Sequence, residues 1–166
     1  MWGRKKIDIE KGKRLFYQYY GSRFGMWHDL GDEYERCNIP KAFEREWRDV
    51  FLNKLETEMQ SARGEELFTA VGRYTDLLDV GPAWMILFLQ TRETDTFTAV
   101  LLCEQLKNML DEKKNRTTAY VRRFLERFKR RLLALPVVID ESYRTCGYVD
   151  EKFLREDAVR ERISAL

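Results

Sequence analysis

The only histidine of the chain sits among carboxylates, and any catalytic or metal chemistry starts there. His28 is followed by Asp29, Asp32, Glu33 and Glu35. If residues 27–37 form one helix, His28 and Asp32 stand four apart on one face, where two side chains can share a metal ion. An imidazole beside a carboxylate can also serve as a general base. Both ideas are thin. A single histidine excludes the two-histidine zinc motifs, and no second strong ligand set accompanies it. The expectation is a surface or capping histidine, with no catalytic residue, no metal and no cofactor.

Thiol and phosphate chemistry fare no better. Cys37, Cys103 and Cys146 are odd in number and widely spaced, which suits neither a disulfide framework nor a zinc site. Cys103 closes the apolar run at 99–103 and reads as a small buried hydrophobe. Cys37 and Cys146 have no histidine partner other than His28. Residues 21–25, GSRFG, lack the lysine and the preceding strand that a phosphate loop needs. Nucleotide-dependent enzymes are disfavoured.

The strongest signal is electrostatic. Lys113, Lys114, Arg116, Arg122, Arg123, Arg127, Lys129, Arg130 and Arg131 face Glu126 alone, so the rest of this nearly neutral chain is net negative. At about 100° per residue, the residues from Arg122 to Arg131 that carry charge fall on one side of a helix. Val121, Phe124, Leu125, Phe128, Leu132 and Leu135 fall on the other. Such a face attracts polyanions by releasing counterions, and it equally suits an acidic protein. The plainer alternative is a merely solvated face. Arg122, Arg123, Arg127 and Arg130 are the candidate contacts.

A second surface is suggested by Phe16, Tyr17, Tyr19, Tyr20, Phe24, Trp27 and Tyr34, crowded into one short segment with glycines at 21, 25 and 31. Aromatic rings with polar tips favour interfaces and ligand pockets. The competing expectation is that they fill one end of the core. Tyr20 and Trp27 are the candidate partner-binding residues here.

The elements that would position these groups are helical. The chain of 166 residues has 44% hydrophobic and 35% charged residues, with only 3 prolines to break helices. Helices are expected at 8–20, 27–37, 40–62, 65–80, 83–90, 94–113, 117–135 and 150–165. The periodicity at 43–59, with Phe43, Trp47, Val50, Phe51, Leu55 and Met59, is the clearest. Gly64 is expected to terminate the helix before it. Residues 83–90 are apolar nearly all round and read as a central buried helix. Residues 97–110 carry apolar groups over more than half their circumference, an excess met by burial or by a two-fold dimer.

These patterns predict an all-α, compact multi-helix bundle of antiparallel hairpins, with helical-repeat-like stacking as the alternative. One domain over 1–166 is expected, its aromatic-rich segment 1–39 packing on a helical core at 40–166. No apolar run approaches the roughly 20 residues of a membrane span, no secretory leader is visible, and the cytoplasm is the expected location. The leading functional reading is a non-catalytic interaction protein with a protein partner, one of acidic character by charge. Nucleic-acid binding through residues 117–135 is the alternative, and a metal-assisted enzyme centred on His28 comes last.

Overall fold

A computed structural model describes residues 7–78, 81–110 and 116–166, without the side chains of 78, 116 and 117. Lys113, Lys114 and the Arg116 side chain therefore lie outside the described residues. So do the far ends of the helices expected to reach residues 80 and 113.

The described chain is all helical, a compact bundle with no sheet and no helix long and apolar enough to cross a membrane. Helix α1 (Ile9–Gln18) starts at Asp8, whose carboxylate accepts from Lys11 N at 3.1 Å. Tyr20 and Gly21 then turn the chain through the left-handed region, at φ 51° and 72°. Ser22 caps α2 (Arg23–Leu30), accepting from Gly25 N at 3.1 Å. Gly31, at φ 56°, separates it from the single turn α3 (Glu33–Arg36). The break falls inside the single helix expected at 27–37, because a residue that favours positive φ ends α2 there.

Pro40 opens α4 (Lys41–Ser61), whose Trp47, Phe51, Leu55 and Met59 are buried; Phe43 and Val50, read as part of the same stripe, are exposed. Helix α5 (Gly64–Leu78) follows after two residues and packs back on α4, with Tyr74 Oη donating to Glu56 at 2.9 Å. Gly64 does not end α4, which stops at Ser61. It begins α5, with φ 53°, where a Cβ would strike Ser142 and Asp140. Ser142 Oγ accepts from Glu65 N at 3.0 Å, so a residue far along the chain satisfies one of the free N–H groups that open α5.

Helix α6 (Pro82–Thr91) leads to α7 (Thr96–Asn108), which Asp95 caps by accepting from Thr98 N at 3.0 Å. The central helix is α7, not α6. It packs against α5, α6, α8 (Arg116–Ala134) and α10 (Glu156–Ala165). Phe97, Val100, Leu102, Cys103 and Leu106 are fully buried, whereas α6 leaves Leu87 to solvent. The wide apolar circumference of α7 is thus consumed inside the molecule. Because four helices surround one, the helices do not form a one-dimensional stack in which each touches only its sequence neighbours.

Between α8 and α10 the chain has no regular structure at 136–140, then forms the short α9 (Ser142–Thr145) and a 3-10 turn (Glu151–Leu154). This segment is tied to α7: Val138 N donates to Thr96 Oγ1 at 2.8 Å, and Phe97 N donates to Val138 O at 3.3 Å. At the N-terminal end Phe16 packs on Trp47 and Phe51, with ring centroids 5.5 and 6.1 Å apart.

Gly64→Ala tests the contact between α5 and the loop before α9. Positive φ and a blocked Cβ act together, so a loss of more than about 1 kcal/mol is expected in urea unfolding. An unchanged midpoint would show that the loop retreats freely.

Candidate functional site

Helix α8 presents its core stripe as expected except at Leu135, which lies past the end of the helix and is exposed. Val121, Phe124, Leu125, Phe128 and Leu132 are buried, and Arg122, Arg123, Arg127, Arg130 and Arg131 are exposed. Among the described residues no carboxylate pairs with any of these five arginines. Arg123 and Arg130 each donate Nε to the carbonyl one turn back, at Ala119 and Glu126, both at 3.3 Å. Their terminal nitrogens make no further bond among the described residues.

The five do not form one uniform field. Arg123, Arg127 and Arg130 follow i, i+4, i+7 opposite the core stripe and make a ridge about 10 Å long. Exposed Tyr120 stands at its N-terminal end. Arg122 lies to one side, lining a hollow of about 430 Å³ with Glu126 and Lys107. Lys129, read as part of the basic face, is used internally. Its Nζ donates to Ser164 O at 2.5 Å, while Lys107 Nζ donates to Ala165 O at 2.8 Å. Two ammonium groups thus meet the carbonyl end of α10, where the helix dipole favours cations.

The aromatic segment divides. Phe16 and Tyr34 are core, Tyr17 and Tyr19 are half-buried, and Phe24 (72% exposed) and Trp27 (64% exposed) stand out from α2. What holds α2 in place is Arg23, which donates to Glu35 at 2.6 Å and to both oxygens of Glu44 at 2.8 and 2.7 Å. Tyr34 Oη also donates to Glu44, at 2.8 Å. Burial, and then this bond to a carboxylate, pushes the Tyr34 phenol far above its ordinary range.

Tyr20 is turned elsewhere. The Arg73 guanidinium lies over its ring, 4.0 Å from the centroid, and Phe51 packs 6.0 Å from it. Tyr20 lines a cavity of about 870 Å³ between α2, α4, α5 and α7, whose walls include Arg48, Arg73, Asp76 and Gln105. The sequence reading missed these four. They come from three helices, and nothing in their local spacing marks them.

His28 and Asp32 are not brought together as a chelate. His28 ends α2 and Asp32 precedes α3, with the Gly31 turn between them. His28 Nδ1 instead donates to Asp29 at 2.7 Å, and this bond holds the Asp29 carboxyl below its usual range. Among the described residues no three His, Cys, Asp or Glu side chains are grouped to hold a metal. The three cysteines are free thiols. Burial pushes the Cys103 thiol up to about 12 and raises Cys37 as well, which suppresses their thiolates at neutral pH.

Compared with known protein families, curated proteins and solved structures, the chain matches none.

Two outcomes follow from these charges. Arg23→Leu leaves Glu44, whose side chain is only 12% exposed, without its cation. A loss of about 1–3 kcal/mol is expected in urea unfolding, with increased protease sensitivity across α2. Asp76, at the cavity rim, is exposed on one side, and the protein around it pushes its carboxyl above the usual range. The folded chain then keeps this proton to higher pH than the unfolded chain, so stability falls as pH rises between the two titrations. Asp76→Asn is expected to raise Tm at pH 7, the gain fading below the ordinary carboxylate range. A pH series of thermal melts checks the sign.

Proposed function

We propose that this chain is a non-catalytic interaction protein that docks an acidic macromolecular surface on the ridge formed by Arg123, Arg127 and Arg130. The observation that carries this reading is the lack of any paired carboxylate on the ridge among the described residues. The chain has 28 carboxylates to its 30 cations, yet none of the described ones neutralises these three. Exposed guanidiniums offer planar, bidentate forks that suit carboxylate clusters. The opposite side of α8 is buried in the core, so the helix is held rigid while its charged side stays in water. A helix already held in place has no backbone entropy left to lose on docking.

The aromatic pair Phe24 and Trp27 offers a second contact area on the same molecule. Trp is among the residues that most often anchor interfaces. An acidic protein with an apolar rim is the partner chemistry that would use both surfaces.

Tyr120 favours one other reading. A single exposed ring beside a row of guanidiniums can stack on an unpaired base, which would make the ridge a contact for single-stranded nucleic acid.

The double variant Arg123→Glu/Arg130→Glu separates these ideas from plain solvation. Retention of the wild-type chain on immobilised polyglutamate at low salt is expected to be lost in the variant, with the circular dichroism spectrum unchanged. A gel shift with single-stranded RNA at two salt concentrations tests the nucleic-acid reading. Equal retention of wild type and variant would leave the ridge without a role.

A further inference from the structure

The cavity between α2, α4, α5 and α7 has features that the proposed docking does not use. Its volume of about 870 Å³ falls within the size range of small-molecule sites, roughly 300–1,000 Å³. Three arginines reach its walls. Arg23 is occupied by Glu35 and Glu44, but Arg48 and Arg73 have no carboxylate partner among the described residues. Arg73 is nonetheless held in place, because its guanidinium lies over the Tyr20 ring. In that pose the ring covers one side of the guanidinium and leaves N–H groups for an anion.

Tyr20 adopts positive φ, a conformation that is uncommon for a residue with a side chain and that tends to persist where the surroundings enforce it. The conformation puts the ring between Phe51 and Arg73.

Gln105, which also lines the cavity, carries one orphaned atom behind the wall. Thr75 Oγ1 donates its only proton to Gly72 O at 2.8 Å, so it can only accept from Gln105, whose Nε2 lies at 3.1 Å. The amide orientation of Gln105 is thereby set, and its buried Oε1 has no hydrogen-bond partner. That oxygen has no surface open to the cavity, so its lost bond, worth about 1–3 kcal/mol, is a cost carried by the fold.

We infer that this cavity binds a nucleoside monophosphate, with the phosphate met by Arg48 and Arg73 and the base laid against the rings of Tyr19 and Phe24. Guanidinium forks match phosphate oxygens in geometry and charge. Tyr19 and Phe24, which also line the cavity, offer ring surface to the base. Asp76 is the one carboxylate among the described lining residues, and it places negative charge at the rim, where a ribose hydroxyl can donate to it. No phosphate loop is involved; the anion is met by side chains from two separate helices.

Calorimetric titration of the full chain with adenosine, guanosine, cytidine and uridine monophosphates, and with inorganic phosphate, tests this. At least one nucleotide is expected to bind saturably at one site, more tightly than inorganic phosphate. Arg48→Gln and Arg73→Gln should each weaken it about tenfold or more. Phe24→Ala should weaken the nucleotide while leaving inorganic phosphate unchanged. Arg123→Glu/Arg130→Glu, which alters only the α8 ridge, should leave nucleotide binding intact. Arg48 is solvent-exposed, so its variant remains informative if Arg73→Gln fails to fold. The inference is overturned if no nucleotide binds at millimolar concentration, if inorganic phosphate binds equally well, or if only the α8 variant loses binding.

Discussion

Enclosure of α7 by four other helices is the constraint from which the rest of the architecture follows. Within a helix enclosed by four others an unpaired polar group is far more expensive than in water, and Gln105 Oε1 is the one such side-chain atom among the described residues. Two of its fully or nearly buried residues are threonines, Thr96 and Thr98. Thr98 Oγ1 donates to Asp95 and lies 2.9 Å from Tyr143 Oη, so it accepts from the phenol. Thr96 Oγ1 donates to Pro136 O and accepts from Val138 N. The hydroxyls at the start of α7 therefore fix where residues 136–143 run. Arg162 on α10 is drawn in by paired hydrogen bonds to Glu104, with its guanidinium 5.3 Å from the Phe97 ring centroid.

That arrangement leaves α8 at the periphery, with one side available to the core. Its cations then divide according to what lies nearby. Lys129 reaches the end of α10, and Arg160 from α10 donates in return to Leu133 O near the end of α8. These bonds satisfy helix-terminal carbonyls that no intrahelical donor reaches. Among the described residues, the arginines on the far side meet no such acceptor except on their own helix. Surface charge of this kind adds little to stability. It is instead open to an external anion, with a strength that salt screens over roughly 8–10 Å.

How much of this is legible in the sequence depends on whether a property is local. The α8 stripe of Val121, Phe124, Leu125, Phe128 and Leu132 could be read from spacing because helical periodicity is set by neighbours within two turns. The boundaries of α4 and α6 are legible for the same reason, with Pro40 and Pro82 marking their starts. The rank order of burial is not. Residues 83–90 look more apolar than 96–108, yet α7 is the enclosed helix. The apolar content of a segment states how much of its surface must be covered, not which helix the others will gather around. Gly64 shows a similar limit: its chemistry announces an unusual backbone, but only the approach of Ser142 and Asp140 says at which end of a helix it stands.

By itself, then, the sequence determined the all-helical class, the amphipathic α8 with its arginines opposite the core, and the poverty of metal-ligand and nucleophile patterns. Each is a matter of residue type or of separations shorter than about eight positions. Tertiary packing alone decided that His28 and Asp32 are split by the Gly31 turn, that Lys129 serves α10 rather than the outer face, and that Tyr20, Arg48, Arg73 and Gln105 share one cavity. Those four positions lie tens of residues apart, and their meeting depends on how four helices pack, which no short-range pattern encodes.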